Sequence, residues 1–273
     1  MTSFKIIDNI KCYAPELAVQ NNDYSSESFE VLFNAENSNF WFISRNKVIE
    51  YLFRKYLGKK TNYKVLEVGC GTGYVLTGLS KNKNYNLTGA EIYLEGLKYA
   101  RQRLPDVEFI QMDATCMPFK SEFDAVGAFD VLEHIQEDEL VIANIFSAIK
   151  EGGFFFVSVP QYKFMWSYLD DIAFHKRRYN RNELKEKIER AGFKVKYIGS
   201  FVFALFPAMF ISRLIKKQKK IKEFDTHHEM YHELYLSPFL NSLFKLIMKV
   251  DELLIKTGIS LPFGGSLVLV AEK

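Results

Sequence analysis

The stretch Val65-Leu66-Glu67-Val68-Gly69-Cys70-Gly71-Thr72-Gly73 limits the fold of this chain more than any other segment. An apolar run that ends in closely spaced glycines and leads into Tyr74–Leu79 predicts a strand, a tight turn and a helix. Glycines in such a turn let backbone approach a ligand closely, and the helix N-terminus attracts a negative group. The alternation continues downstream. After Lys64–Gly69, the segments Asn86–Glu91, Glu108–Asp113, Phe123–Phe129 and Phe154–Val159 read as strands, and Leu94–Arg103, Glu137–Ile149 and Asn180–Ala191 as helices. That order predicts right-handed βαβ crossovers and an α/β, doubly wound, mostly parallel sheet. Lys194–Ile198 and Gly265–Glu272 read as two later strands.

Punctuation supports these boundaries. Gly152-Gly153 closes the helix over 137–149, Asn180 with Glu183 has capping-box spacing, and Gly192 sits at a stop position. Upstream, Ile49, Leu52, Phe53, Tyr56 and Leu57 form a helical stripe closed by Gly58. Residues 1–26 are polar and patternless and predict an irregular start. The expected division is 1–60, an N-terminal segment with a capping helix; 61–199, the ligand-binding core; 200–263, a helical insertion; and 264–273, the last strand.

Four strand ends carry the chemistry. The spacing Gly69, Gly71, Gly73 is G-x-G-x-G, whereas a dinucleotide turn needs a third glycine where Tyr74 stands, which disfavours a nicotinamide or flavin cofactor. Glu91 ends the second strand, 22 residues after Gly69, where a carboxylate can accept both hydroxyls of a ribose. Asp113 ends the third and faces the same crevice. The fourth ends at Phe129-Asp130, followed by Val131-Leu132-Glu133-His134.

Taken together, E-V-G-C-G-T-G, Glu91, M-D-A at Asp113, D-V-L-E-H and K-E-G-G resemble a class I S-adenosylmethionine-dependent methyltransferase of the small-molecule branch that includes quinone-pathway enzymes. The likeness covers about 40–198 and the final strand. It implies a seven-stranded sheet with an antiparallel last strand. It implies further that Gly69, Gly71 and Gly73 hold the methionine part of the cofactor, Glu67 its amino group, Glu91 the ribose and Asp113 the adenine. Cys70, Ile92, Ala114, Phe129 and Asp130 complete the expected contacts.

Methyl transfer from a sulfonium needs alignment and exclusion of water. No metal site is expected, because no spacing such as H-E-x-x-H is present. For an acceptor that needs a base, His134 and His175 are the candidates. His134 equally suits a helix-start residue holding the Asp130 loop, and Asp171, Arg178 and Tyr179 equally suit a structural cluster around His175. In Asn39–Arg45, the aromatics read as a lid over the cofactor, with Arg45 reaching its carboxylate, or Trp41 and Phe42 as core anchors, a reading that suits Phe42 and leaves Trp41 open. Two other functions stay open: a nucleotide-dependent oxidoreductase, and an S-adenosylmethionine-binding protein without catalysis.

Composition narrows the partners. Thirty-six Lys/Arg against 33 Asp/Glu leave +3, too little to predict nucleic acid. Three cysteines without C-x-x-C, and no apolar h-region at the start, predict a reducing, cytoplasmic setting. The charge excess lies in 200–263. There Tyr197–Ser212 carries no charge and is followed by Arg213, Lys216, Lys217, Lys219, Lys220 and Lys222. Pro207 and the shortness of the run argue against a membrane span. The insertion reads as a helical cap with Leu236–Leu254 as its second half. Alternatively, 200–222 touches the inner face of a membrane through Phe201, Phe203, Phe206 and Phe210. The acceptor is a small molecule or lipid-linked, and oligomeric state is not legible.

Overall fold

Parallel strands around the glycine turn form the centre of the molecule. The computed structural model describes residues 4–17, 26–217 and 234–273. Its strands are β1 (Lys5–Ile7), β2 (Ile10–Cys12), β3 (Tyr63–Val68), β4 (Tyr85–Glu91), β5 (Glu108–Gln111), β6 (Phe123–Phe129), β7 (Ile149–Pro160), β8 (Lys194–Phe201) and β9 (Ser266–Glu272). They make one sheet in the order β1-β2-β5-β4-β3-β6-β7-β9-β8. From β5 to β8 this is the expected seven-stranded sheet, and β9 runs antiparallel to both β7 and β8. The order reverses between β3 and β6, a switch point of the kind that opens a ligand crevice at the strands' C-terminal ends.

Helices cover both faces. They are α1 (Ser26–Glu36), α2 (Phe40–Leu57), α3 (Tyr74–Leu79), α4 (Leu94–Arg103), α5 (Asp138–Ala148), α6 (Tyr168–Ile172), α7 (Arg181–Arg190), α8 (Phe206–Lys217) and α9 (Pro238–Lys256). One core layer joins Ile49, Leu52 and Phe53 of α2, Leu97 of α4 and Met248 and Ile255 of α9 to the sheet. Phe53 stacks on Phe156 of β7 at 3.9 Å between ring centroids. The opposite layer joins Val141 and Ile145 of α5 and Leu184 and Ile188 of α7. Such apolar contacts from both sides explain why the central strands read as unbroken hydrophobic runs.

The structure corrects several boundaries. The start is not irregular: β1 and β2 form a hairpin across Asp8 and Asn9, both at positive φ (50° and 60°), the backbone of a two-residue primed turn. β2 then pairs in parallel with β5, burying Ile10 and Cys12, so the sheet has nine strands rather than seven. Three-residue strands are too short to show a period in the sequence. Helix α2 begins at Phe40, well before the stripe at Ile49, because Asn39 caps it by accepting from the Trp41 amide at 2.9 Å. Helix α5 stops at Ala148, and Gly152-Gly153 lie inside β7, where the pairing with β6 shifts register. Asn180 makes no side-chain cap, and Glu183 pairs instead with Lys163 at 3.2 Å. The capping box is at α6, where the Ser167 amide donates to Asp170 at 2.9 Å.

Among its described residues the insertion forms two helices. α9 lies along α2, with Asn241 accepting from the Phe40 amide and donating to the Ser38 carbonyl, both at 2.8 Å. Asp251 accepts from the Phe203 and Ala204 amides that lead into α8. Of the phenylalanines expected to seek a membrane, one is buried and three are half-buried against other aromatic rings. Phe201 is buried, Phe203 and Phe206 both pack on Phe263, and Phe210 packs on Phe164. The face left exposed is another one: Ile211, Leu214 and Ile215 on α8, and Phe239, Leu243, Leu246, Val250 and Leu253 on α9. The side chains of Lys216 and Lys217 and all of Lys219, Lys220 and Lys222 lie outside the described residues. No helix among the described residues is long and apolar enough to cross a membrane.

Candidate functional site

Two adjoining cavities open beyond the C-terminal ends of β3, β4, β5 and β6. One, about 400 Å³, is lined by Glu91, Ile92, Asp113 and Ala114. The other, about 370 Å³, is lined by Glu67, Cys70, Phe129, Arg45 and His175. Gly69, Gly71, Asp130 and His134 line both, so the glycine turn is the shared wall. Parallel pairing brings these residues together: β3 lies between β4 and β6, which aligns Val68 with Ala90 on one side and Ala128 on the other.

The turn needs its glycines for different reasons. Gly69 has φ 67°, and a Cβ there would stand 2.4 Å from the Val131 side chain. Gly71 has φ 50° and nothing within 4 Å of a Cβ, so its open side faces the cavity. Gly73 lines neither cavity; it is the N-cap of α3, close to Ala100. Behind the turn, Glu36 accepts from Thr72 and from Arg103, tying α1 and α4 to it. Sequence reading missed this trio because Glu36 and Arg103 lie outside any motif.

The acids differ in their surroundings. Glu91 accepts from the amides of Gly71 at 2.9 Å, Ile92 at 2.8 Å and Tyr93 at 3.3 Å. Burial raises its pKa and those amides pull it back. Glu67 is buried, and its Oε2 has no hydrogen-bond partner among the described residues. Burial pushes its pKa well up, and the charge of Arg45 opposes the shift. Burial also pushes up the Cys70 thiol, which makes it a poor nucleophile. Asp113 sits two residues past β5 and caps a short turn, accepting from the Thr115 amide at 2.8 Å. Asp130, at φ 57°, accepts from Ser158 at 3.1 Å and pairs with Arg45, whose guanidinium lies 4.5 Å from the Trp41 ring centre. Trp41 and Arg45 therefore belong to a helix that walls the second cavity.

The two histidines meet. Their rings pack edge to face with centroids 4.8 Å apart. Burial, then the charges of His175 and Lys176, holds the His134 pKa down to about 3. His175 Nδ1 bonds Asp170 Oδ1 at 2.9 Å. Burial resists ionisation of Asp170, but His175, Arg178 and Arg213 together hold its carboxyl well below the usual range. Arg178 thus pairs with Asp170, the carboxylate that also serves His175, and not with the expected Asp171, which accepts from the Trp166 indole at 3.0 Å. Tyr179 faces away and donates to Asp138. Beside the histidines stands Glu133, overlooked in the sequence, and one donor atom from each of the three lies within 4.8 Å of the others.

Residues 36–198 match the profile of a family described as a methyltransferase domain. A probable S-adenosylmethionine-dependent methyltransferase of Mycolicibacterium smegmatis is 30% identical over 161 residues, covering 58% of this chain and 60% of that one. A ubiquinone biosynthesis O-methyltransferase of Hydrogenovibrio crunogenus is 27% identical over 129 residues, covering 45% and 53%. The chain thus spans less than two thirds of the length of these relatives. Among solved structures, phosphoethanolamine N-methyltransferase 2 of Haemonchus contortus, in complex with S-adenosyl-L-methionine, gives a TM-score of 0.60 at 17% identity. That match covers 93% of this chain and 59% of the other, and is a likeness of fold.

Proposed function

The chain belongs to the methyltransferase-domain family, and on that premise we propose that it moves a methyl group from S-adenosylmethionine to a small-molecule or lipid-linked acceptor. The observation that carries this reading is the double cavity with matched polar ends. Glu67, a buried carboxylate with an unpartnered oxygen, suits the cofactor's ammonium. Gly71 offers backbone at an open position, and Glu91 and Asp113 supply acceptors for ribose hydroxyls and an adenine amino group. When bound, S-adenosylmethionine supplies a methyl group already activated on a sulfonium. The residues of this chain orient it, and the walls of α1, α2 and the Tyr168–Phe174 segment exclude water from the junction. Arg45 and Asp130 are paired with each other, so Arg45 acts by holding the junction's wall rather than by gripping the cofactor's carboxylate.

His134 and His175 lie at that junction, and the proposed acceptor occupies the side of the ~370 Å³ cavity lined by His175, Phe174 and Arg213, beside the end that Glu67 gives to the cofactor. Arg213 of α8 and Leu234 also line it, which supports the helical insertion as its cap. A nicotinamide enzyme is disfavoured by Tyr74, which packs against Phe42 and Arg103 where a dinucleotide turn needs glycine. Calorimetry with S-adenosylmethionine, S-adenosylhomocysteine and NADH tests the reading. Micromolar binding of the first two and none of NADH is the expected result; no binding of either sulfur compound would overturn it. A cofactor-binding protein without catalysis would bind and yet never convert S-adenosylmethionine to product with any acceptor.

A lipid-linked acceptor draws support from α9. Its exposed stripe of Phe239, Leu243, Leu246, Val250 and Leu253 is flanked by Lys249 and Lys256, and its two acids, Asp251 and Glu252, are buried. An apolar stripe edged by cations suits an anionic lipid surface. Vesicle flotation decides it: binding to anionic but not neutral vesicles, lost in Leu246→Ser/Leu253→Ser, is expected. No binding at low salt leaves a soluble acceptor.

A further inference from the structure

Glu133 has no role in the reading above, and its position is costly. It is 1% exposed, and neither carboxylate oxygen has a hydrogen-bond partner among the described residues. A buried carboxylate in a native protein is normally met by donors, a cation or a metal. The arginines whose charge reaches Glu133 are engaged elsewhere: Arg45 with Asp130, and Arg178 with Asp170. What does face Glu133 is a pair of imidazoles. Donor atoms of Glu133, His134 and His175 lie within 4.8 Å of one another. His175 is also oriented from behind, since its Nδ1 bonds Asp170 Oδ1 at 2.9 Å and directs Nε2 away from that carboxylate. A carboxylate behind an imidazole is the arrangement that fixes ring and tautomer for a metal ligand.

We propose that Glu133, His134 and His175 bind a divalent transition-metal ion, with Asp170 as the positioning residue for His175. One carboxylate and two imidazoles suit zinc, manganese, iron or cobalt, whereas calcium and magnesium prefer all-oxygen sets. Ligand bonds of roughly 2.0–2.2 Å place donors about 3–4 Å apart, so the set closes with side-chain movement of about an ångström. Three protein ligands leave coordination positions open. Both histidines line the cavity assigned to the acceptor, so the open side faces it. On the methyltransferase reading, on which this part rests, the ion holds an acceptor hydroxyl and favours its oxyanion, the proton passing to water. That oxygen then forms the bond to the methyl carbon while the carbon–sulfur pair stays on sulfur. The absence of a contiguous metal motif in the sequence hid the site: His175 lies 41 residues after His134.

The test uses the full chain stripped by chelator and titrated with Co²⁺, read by absorption. In parallel, S-adenosylhomocysteine binding is read by calorimetry. The expected result is one Co²⁺ per chain, with affinity lowered more than about 100-fold in Glu133→Gln and in His175→Ala, since losing an outer partner alone costs roughly 10–100-fold. Both variants keep S-adenosylhomocysteine affinity within about threefold, since these residues sit at the acceptor side. Should Glu133→Gln fail to fold, His175→Ala, at a partly exposed position, carries the test alone. No uptake of Co²⁺, or uptake unchanged in a folded variant, overturns the metal site. Failure of the wild type to bind S-adenosylhomocysteine overturns the methyltransferase reading instead, and leaves the cobalt result standing.

Discussion

The glycine-turn crevice and the insertion over 200–263 are built on opposite plans. In the crevice, backbone amides converge on Glu91, Glu36 ties α1 and α4 to the turn, and Arg45 closes on Asp130. These three polar groups are paired across distant segments, which fixes one geometry. The insertion is pinned by Asn241 and Asp251 and buries Met248 and Ile255 of α9 in the core, yet it also shows solvent an apolar face. The first region has the pre-organisation a shared cofactor requires. On the proposed reading, the second is where acceptor choice can vary without disturbing the first. Asp170 belongs to both, since it meets Arg178 of the core and Arg213 of α8.

Asp170 is therefore where the contrast breaks most sharply. Asp170→Asn leaves Arg178 buried beside a neutral partner and should cost about 3–5 kcal/mol in chemical denaturation. Arg213→Ala, on the insertion side of the same carboxylate, should cost about 1 kcal/mol or less; equal losses would show that core and insertion are one cooperative unit. The same carboxyl sets an acid limit. Its folded pKa lies below the unfolded value of about 3.9, so its contribution is present above that pH and is lost as pH falls through the folded value. The acid slope of stability should be shallower in Asp170→Asn than in the wild type.

Next in size, Glu91→Ala should weaken S-adenosylhomocysteine binding by roughly 1.5–3 kcal/mol by calorimetry, with Asp113→Ala milder. Unchanged affinity in a folded Glu91 variant would remove the ribose assignment. Asn241→Ala should then cost about 1–2 kcal/mol, because it strips the amide of Phe40 and the carbonyl of Ser38 of their partner. Smallest of all, Leu246→Ser/Leu253→Ser should change stability by no more than about 0.5 kcal/mol per site. A larger loss would mean that the exposed stripe of α9 is covered in the native protein.

How much of this was legible varies by element. Helix α4 and strand β6 match the sequence reading residue for residue, since an apolar period flanked by turn residues is a local signal. The cavity residues Glu67, Gly69, Gly71, Glu91, Asp113 and Asp130 were legible too, because parallel strands deliver their C-terminal ends to one crevice. The hairpin of β1 and β2 was not, because Asp8-Asn9 is a weak turn signal between strands too short to alternate. Nor was the burial of Phe201: a phenylalanine in an uncharged run looks the same whether a core or a membrane receives it.

The sequence by itself determined the α/β alternation, the glycine turn and the series of acids at successive strand ends, since each depends on residues near one another in the chain. Only the tertiary structure decided which groups meet. It set Glu36 against Arg103, chose Asp170 over Asp171 for His175, and brought Glu133 and His134 to His175. Those pairings depend on how helices cross the sheet and how loops fold back. Such geometry arises from burying both faces of the sheet at once, and no local spacing encodes it.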